Sequence, residues 1–373
     1  MKKVSLSKMI GLALLLSAAL SCTPNEEEGE ANGPIDNFDR SAMLVHWADD
    51  YAIPAYQNYH QSTQALLTAV NTYVDNPTAA QHSATHAAFR EAYRAWQAVS
   101  FLAIGPAEEK GLRNFTNVYP TDTAGILEFV NVASYNLTLP STFNRQGFPA
   151  IDYLLSGLGT LAETNTRFGN DPRYGDYLQA LAERLELLAG NTLADWENDY
   201  RQTFVSRDGS SAAASVNKMV NDYVFHFEKE LRAGKVGIPA GVFSGNTLPQ
   251  SVEAVYTDTL SQSLFLRSLA AHRNFFTGMG FNGQASGESL QSYLDYLGTQ
   301  HGSGLLSEAI VTQMNLAEGR AQNLSSSFRQ EAESNPQALL AIYDDLQQGV
   351  VYLKVDMLQA LNVRVDYIDA DGD

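Results

Sequence analysis

The chain of 373 residues has one cysteine, Cys22, so it can form no internal disulfide and must draw its stability from packing. It has no H-E-x-x-H and no G-x-S-x-G, which removes the familiar zinc-peptidase ligand pair and the hydrolase nucleophile elbow. Positive charge is scarce. Lys and Arg total 24 against 42 Asp and Glu, and a net charge of −18 argues against nucleic acid and anionic headgroups as partners, since both would be repelled. No apolar run reaches the roughly 20 residues of a membrane-spanning helix. Alternating strand patterns are also missing, and no internal repeat is visible.

The N-terminus is informative. Lys2 and Lys3 give a basic start, Met9 to Leu20 a short apolar run, and Ala19-Leu20-Ser21-Cys22 a small-residue cleavage site ending in the only cysteine. This resembles a bacterial lipoprotein signal, and residues 1–22 are read as signal and anchor, with Cys22 lipidated and the outer or cell membrane as the first partner. Residues 23–40 are acidic and nearly free of large apolar side chains, the composition of a disordered tether. Glu26-Glu27-Glu28 resembles the surface-export signal of some Bacteroidetes-type lipoproteins, and solvation of a linker explains the same run equally well.

With 45% hydrophobic residues the chain can bury one large or two medium cores, and its length favours two domains. Ala42 to Tyr73 has helical spacing interrupted by Pro54. Asn76-Pro77 reads as a cap and first-turn proline for a helix reaching Phe101, with Phe89, Tyr93 and Trp96 on its stripe. Further helices are predicted through Ile126 and Phe129, over Tyr174 to Trp196, and along Val216, Val220, Tyr223, Phe227 and Leu231. Gly234 to Pro249 marks a boundary, followed by helices over Val252 to Phe276, Leu290 to Leu297, Leu305 to Phe328 and Pro336 to Leu361. The expectation is an all-α protein of two bundles, residues 41–235 and 250–362, each of about four long helices, with an acidic tail over 363–373.

Gly147-Phe148-Pro149-Ala150-Ile151-Asp152-Tyr153-Leu154-Leu155 is the stretch with most to say. A glycine breaks the loop, Pro149 suits a helix start, and Asp152 is expected in the first turn, where the helix dipole favours an anion. The stretch resembles the G-x-H-x-x-E motif of the imelysin family of bacterial periplasmic and surface lipoproteins. Gly147 matches, Pro149 stands at the histidine position and Asp152 replaces the glutamate. Trp96, Phe101 and Gly105-Pro106 resemble the family's segment before its first long loop. Val252-Glu253-Ala254-Val255-Tyr256 resembles its Val-Glu-x-x-Tyr stretch, read as opening a helix.

The resemblance implies a duplicated helical fold and a link to iron acquisition, and the family name carries an older description as insulin-cleaving peptidases. In the family motif, His and Glu share a helix face and can reach one metal ion. Proline cannot ligate, so peptidase activity is not expected. A binding role survives the loss better, with iron or an iron-related small ligand as the candidate. Asp152 and Glu253 are the candidate ligand contacts. Asp152, His82 and His86 are candidate metal ligands, because the two histidines are four residues apart on one helix face. A half-buried, hydrogen-bonded histidine pair is the alternative. Two further readings stay open: an accessory partner of an outer-membrane receptor whose site has lapsed, and a metallopeptidase using other ligands. Gly278 to Gly283 fits G-x-G-x-x-G but follows a helix, so it reads as a loop. Asp369, Asp371 and Asp373 imitate only the start of a calcium loop.

Overall fold

Wherever apolar residues recur at intervals of three and four, the chain is helical. The computed structural model describes residues 36–283 and 286–367. Cys22, Glu26 to Glu28, and Asp369, Asp371 and Asp373 lie outside the described residues. Helix α1 (Ile53–Asp75) buries Ala55, Tyr56, Tyr59, Thr63, Leu66, Val70 and Tyr73 along one side. Before it the chain runs helically from Arg40 and widens into i→i+5 turns over Trp47–Ala52. Pro54 explains that widening: it has no N–H to offer, and its ring would crowd the carbonyl four residues back.

Helix α2 (Ala79–Trp96) starts two residues later than the Asn76-Pro77 reading. Asn76 closes α1, and the cap is Thr78, whose hydroxyl accepts from the Gln81 N–H. The helix also stops at Trp96, the next five residues forming turns. Helices α3 (Gly147–Ser156), α4 (Pro172–Asp195) and α5 (Ser215–Phe225) follow, and α5 runs on without a break into wide i→i+5 turns over His226–Gly237. Helices α6 (Ser261–Thr277), α7 (Leu306–Gln322) and α8 (Pro336–Val350) complete the long elements. Among the described residues the strands are β1 (Gln300–His301) and β2 (Gly304–Leu305), an antiparallel pair just before α7.

Two of the expected helices are shorter than their apolar pattern. Residues 252–260 are irregular and α6 begins only at Ser261, because Ala254 and Asp258 adopt positive φ, 56° and 60°, which ends a right-handed helix. The stretch from Leu305 to Phe328 breaks after Gln322 and restarts at Phe328 with Ser327 as its cap.

Helix α1 lies along α2 and α4, with α3 packed on α4, while α7 packs on α8 and α8 on the 226–237 turns. The described residues from Phe38 onward form one compact unit with a continuous core. An aromatic cluster joins the two helix groups: Trp47 stacks on Phe275 with centroids 4.8 Å apart, and Phe101 meets Phe275 edge-on at 5.3 Å. Phe148 at the head of α3 stacks on Tyr93 of α2 at 4.5 Å, which fixes α3 against the first group.

Gly147 is required at its position for two reasons. Its φ is +72°, and a β-carbon there would fall inside van der Waals contact of the Thr116 carbonyl oxygen. Gly147→Ala is therefore expected to destabilise the fold by about 3 kcal/mol. Urea unfolding of both proteins checks this, with an unchanged midpoint as the contrary result.

Candidate functional site

Helix α3 begins at Gly147, so Asp152 is its sixth residue and lies beyond the first turn. The helix dipole does not hold it there. Its carboxylate is buried and accepts two backbone hydrogen bonds from the irregular segment, from Tyr256 N–H at 2.9 Å and Thr257 N–H at 2.8 Å. Burial pushes its pKa from 3.8 up to about 6, against those hydrogen bonds, which pull it down. Pro149 is buried in the same helix, close enough to the start that its missing N–H costs little.

His82 and His86 do share the inward face of α2, with rings 6.1 Å apart. Each is committed to a partner. His82 Nε2 donates to the Leu155 carbonyl at 2.8 Å, and His86 Nε2 meets the Thr257 hydroxyl at 3.1 Å. Burial, then the neighbouring His82, lowers His86 to about 4, so it is neutral at pH 7. Thr257 thus touches both His86 and Asp152. Among the described residues no group of three His, Cys, Asp or Glu is arranged to hold a metal ion. Asp152 and His86 form a clasp on the 252–260 segment, and His82 ties α2 to α3.

Glu253 is not a first-turn residue. The segment carries it into the interior, where it forms an ion pair with Lys235, both almost wholly buried. Its second oxygen accepts from Asn117 Nδ2 at 2.7 Å and from Gln97 Nε2 at 3.2 Å. Asn117 in turn accepts from the Tyr93 hydroxyl at 2.6 Å. A second, partly buried pair lies nearby: the Arg113 guanidinium donates to both oxygens of Asp222 at 2.8 and 3.0 Å, and to the Ser100 carbonyl. Asp222 also accepts from Ala103 N–H at 2.7 Å.

Between the pairs stands Glu230. Together with Arg113, Lys235 and His226 it lines a void of about 10 Å³, the size of one water molecule. It also lines, with Arg113, Asp222, Phe225, Lys218 and Tyr367, a cavity of about 320 Å³. Burial raises the Glu230 pKa, while Arg113 and Lys235 pull it down. The i→i+5 turns explain how Glu230 and Lys235 reach one void. Five residues turn through about 140° beyond a full circle on an α-helix, whereas i→i+5 spacing stacks them one above the other.

Sequence reasoning placed Asp152 and Glu253 among the candidates and overlooked Lys235, Asp222 and Glu230. One signal was available: Lys235 continues the Phe227, Leu231 stripe at the next interval of four, a charge on an apolar face.

The chain is thus a helical protein with ion pairs packed beside a cavity. The profile of the Imelysin family (Peptidase M75) matches residues 52–356, and the chain belongs to that family. A segment is 29% identical over 109 residues to the iron-regulated protein A of Synechococcus elongatus, and the match spans 30% of that relative's length. A crystal structure from Parabacteroides distasonis, named for an iron-regulated protein A precursor, is similar with TM-score 0.70 at 16% identity, covering 88% of this chain and 97% of that one. An imelysin-like protein from Psychrobacter arcticum is similar with TM-score 0.67 at 16% identity and the same coverages. The all-helical expectation and the family resemblance both hold.

Two outcomes test the site's electrostatics. The folded pKa of Asp152 lies above its ordinary 3.8, so between about pH 4 and 6 the folded state holds the extra proton. The stability this contributes is full below about pH 4 and lost as pH rises through 6. Melting curves across that range should show a slope in the native chain that is absent from Asp152→Asn. In the second test, Lys235→Met leaves Glu253 buried without its cation and should cost about 3–5 kcal/mol. Adding Glu253→Gln should recover most of that loss, as read by denaturant unfolding.

Proposed function

We propose that this chain is a non-enzymatic, lipid-anchored protein of the cell envelope that binds an iron-related small ligand in iron acquisition. The observation that carries the reading is the cavity of about 320 Å³ lined by the partly buried Arg113–Asp222 pair and Glu230. Pockets of this size with a few converging polar groups are the usual form of a small-molecule site. The iron-related part rests on family membership and on relatives named for iron regulation. The membrane part rests on Cys22 and the signal-like segment before it.

Two features favour binding over peptide hydrolysis. Pro149 occupies the position of the motif histidine, and Asp152 spends both oxygens on backbone N–H groups. A water-activating metal would need about three good ligands with an open position. The histidine pair and Asp152 are engaged with protein partners instead.

Growth of a deletion strain under iron limitation tests the reading, alongside complementation by the native chain and by Asn114→Trp, which places a bulky ring on the exposed rim of the cavity. The expected result is a growth defect that the native chain restores and Asn114→Trp does not. Equal growth of the deletion and native strains would overturn the reading.

A further inference from the structure

The ion-pair network is one positive charge short. Two cations, Arg113 and Lys235, and two carboxylates, Asp222 and Glu230, line the small void or the inner end of the cavity, and a third carboxylate, Glu253, pairs with Lys235. Arg113 is matched with Asp222 and Lys235 with Glu253. Each of those carboxylates also accepts neutral N–H groups, Ala103 for Asp222 and Asn117 and Gln97 for Glu253. Glu230 has no hydrogen bond or ion pair among the described residues, although it lines both spaces. A carboxylate taken from water without a donor is costly, and a ligand that brings a donor and a charge removes that cost.

The rest of the cavity suits an organic body more than a bare ion. Ile104, Ala107 and Phe225 give it apolar wall, and the C-terminal segment supplies another side. Asn221 clamps that segment: its Nδ2 donates to the Arg364 carbonyl at 2.9 Å and its Oδ1 accepts from Asp366 N–H at 3.1 Å. Lys218 pairs with Asp366 at 3.2 Å, and Tyr367 meets the Phe225 ring edge-on with centroids 5.3 Å apart. The two cations lining the cavity are thus engaged, Lys218 with Asp366 and Arg113 with Asp222. They leave two lining carboxylates without an ion pair among the described residues, Glu108, which is exposed to solvent at the rim, and Glu230, which stands at the inner end next to the small void.

We propose that the cavity is a binding site for a small organic cation, whose protonated amine meets the Glu230 carboxylate while its apolar body lies along Ile104, Ala107 and Phe225. The inference rests on the reading of this cavity as the ligand site and names the ligand's chemistry. Recognition is by charge-assisted hydrogen bonding at one end and by apolar contact along the body.

Calorimetric titration of the purified full chain with three probes of similar size, benzylamine, benzyl alcohol and benzoate, tests it. Benzylamine should bind, with the alcohol and benzoate at least tenfold weaker. Glu230→Gln should weaken benzylamine at least tenfold while melting at the same temperature as the native chain or higher, because it removes an unmatched charge. Asn114→Trp should weaken benzylamine as well. Benzyl alcohol or benzoate binding as tightly as benzylamine, with that binding lost in Asn114→Trp, would overturn the cation assignment and leave the cavity as a ligand site. Benzylamine binding that is unchanged in Glu230→Gln would overturn it too, as would a lower melting temperature for that variant, which would make Glu230 a structural partner. No binding of any probe would overturn the cation assignment and the cavity reading together.

Discussion

The structure depends on how one irregular segment, residues 252–260, is kept inside a helical protein. Such a segment takes backbone polar groups into the interior with no helix to pair them, and each unpaired group would cost free energy comparable to a lost hydrogen bond. Asp152 resolves this by accepting the N–H groups of Tyr256 and Thr257. The Thr257 side chain then meets His86, so α2, α3 and the segment are tied at one point. With the segment held, Glu253 lies where Lys235, Asn117 and Gln97 can surround it. The acidic residue at the end of the motif therefore does architectural service here, and the ion-pair network is its downstream result.

The change from the family motif fits that service. A proline near the start of α3 needs no hydrogen-bond partner, and the adjacent Phe148 is free to stack on Tyr93. An aspartate at position 152 is shorter than a glutamate, and both its oxygens reach backbone N–H groups in the facing segment. The motif region of this chain thus works as a joint between helices, and the charged cavity is lined by residues outside the motif. In the function proposed above, this joint supports the cavity without forming it.

How much of this was legible in the sequence varied with the physics behind each feature. Helices with regular apolar spacing, such as α1, α4 and α5, were readable because one face of each is buried along its whole length. Residues 252–260 carry the same apolar density yet are not helical. What decides them is the positive φ at Ala254 and Asp258 and the distant carboxylate of Asp152, neither of which a local pattern contains. Asp152 and Glu253 stood out as acidic residues in unusual places, but their partners did not. Arg113, Asp222, Glu230 and Lys235 reach one another through tertiary packing, and the helical period used to read the sequence puts Glu230 and Lys235 on different sides.

The wide turns over His226–Gly237 carry a consequence of their own. Their hydrogen bonds span one residue more than those of an ordinary helix, so the segment stores an extra residue without forming a loop. Deleting a single residue ahead of Glu230 would let the backbone tighten into a regular helix on which Glu230 and Lys235, still five apart, point to different sides, even though both side chains would remain in the sequence. The chemistry of the interior is encoded in the length of this segment as well as in its letters. Related chains that keep the same charged residues but differ by one residue in this stretch would present a differently charged cavity.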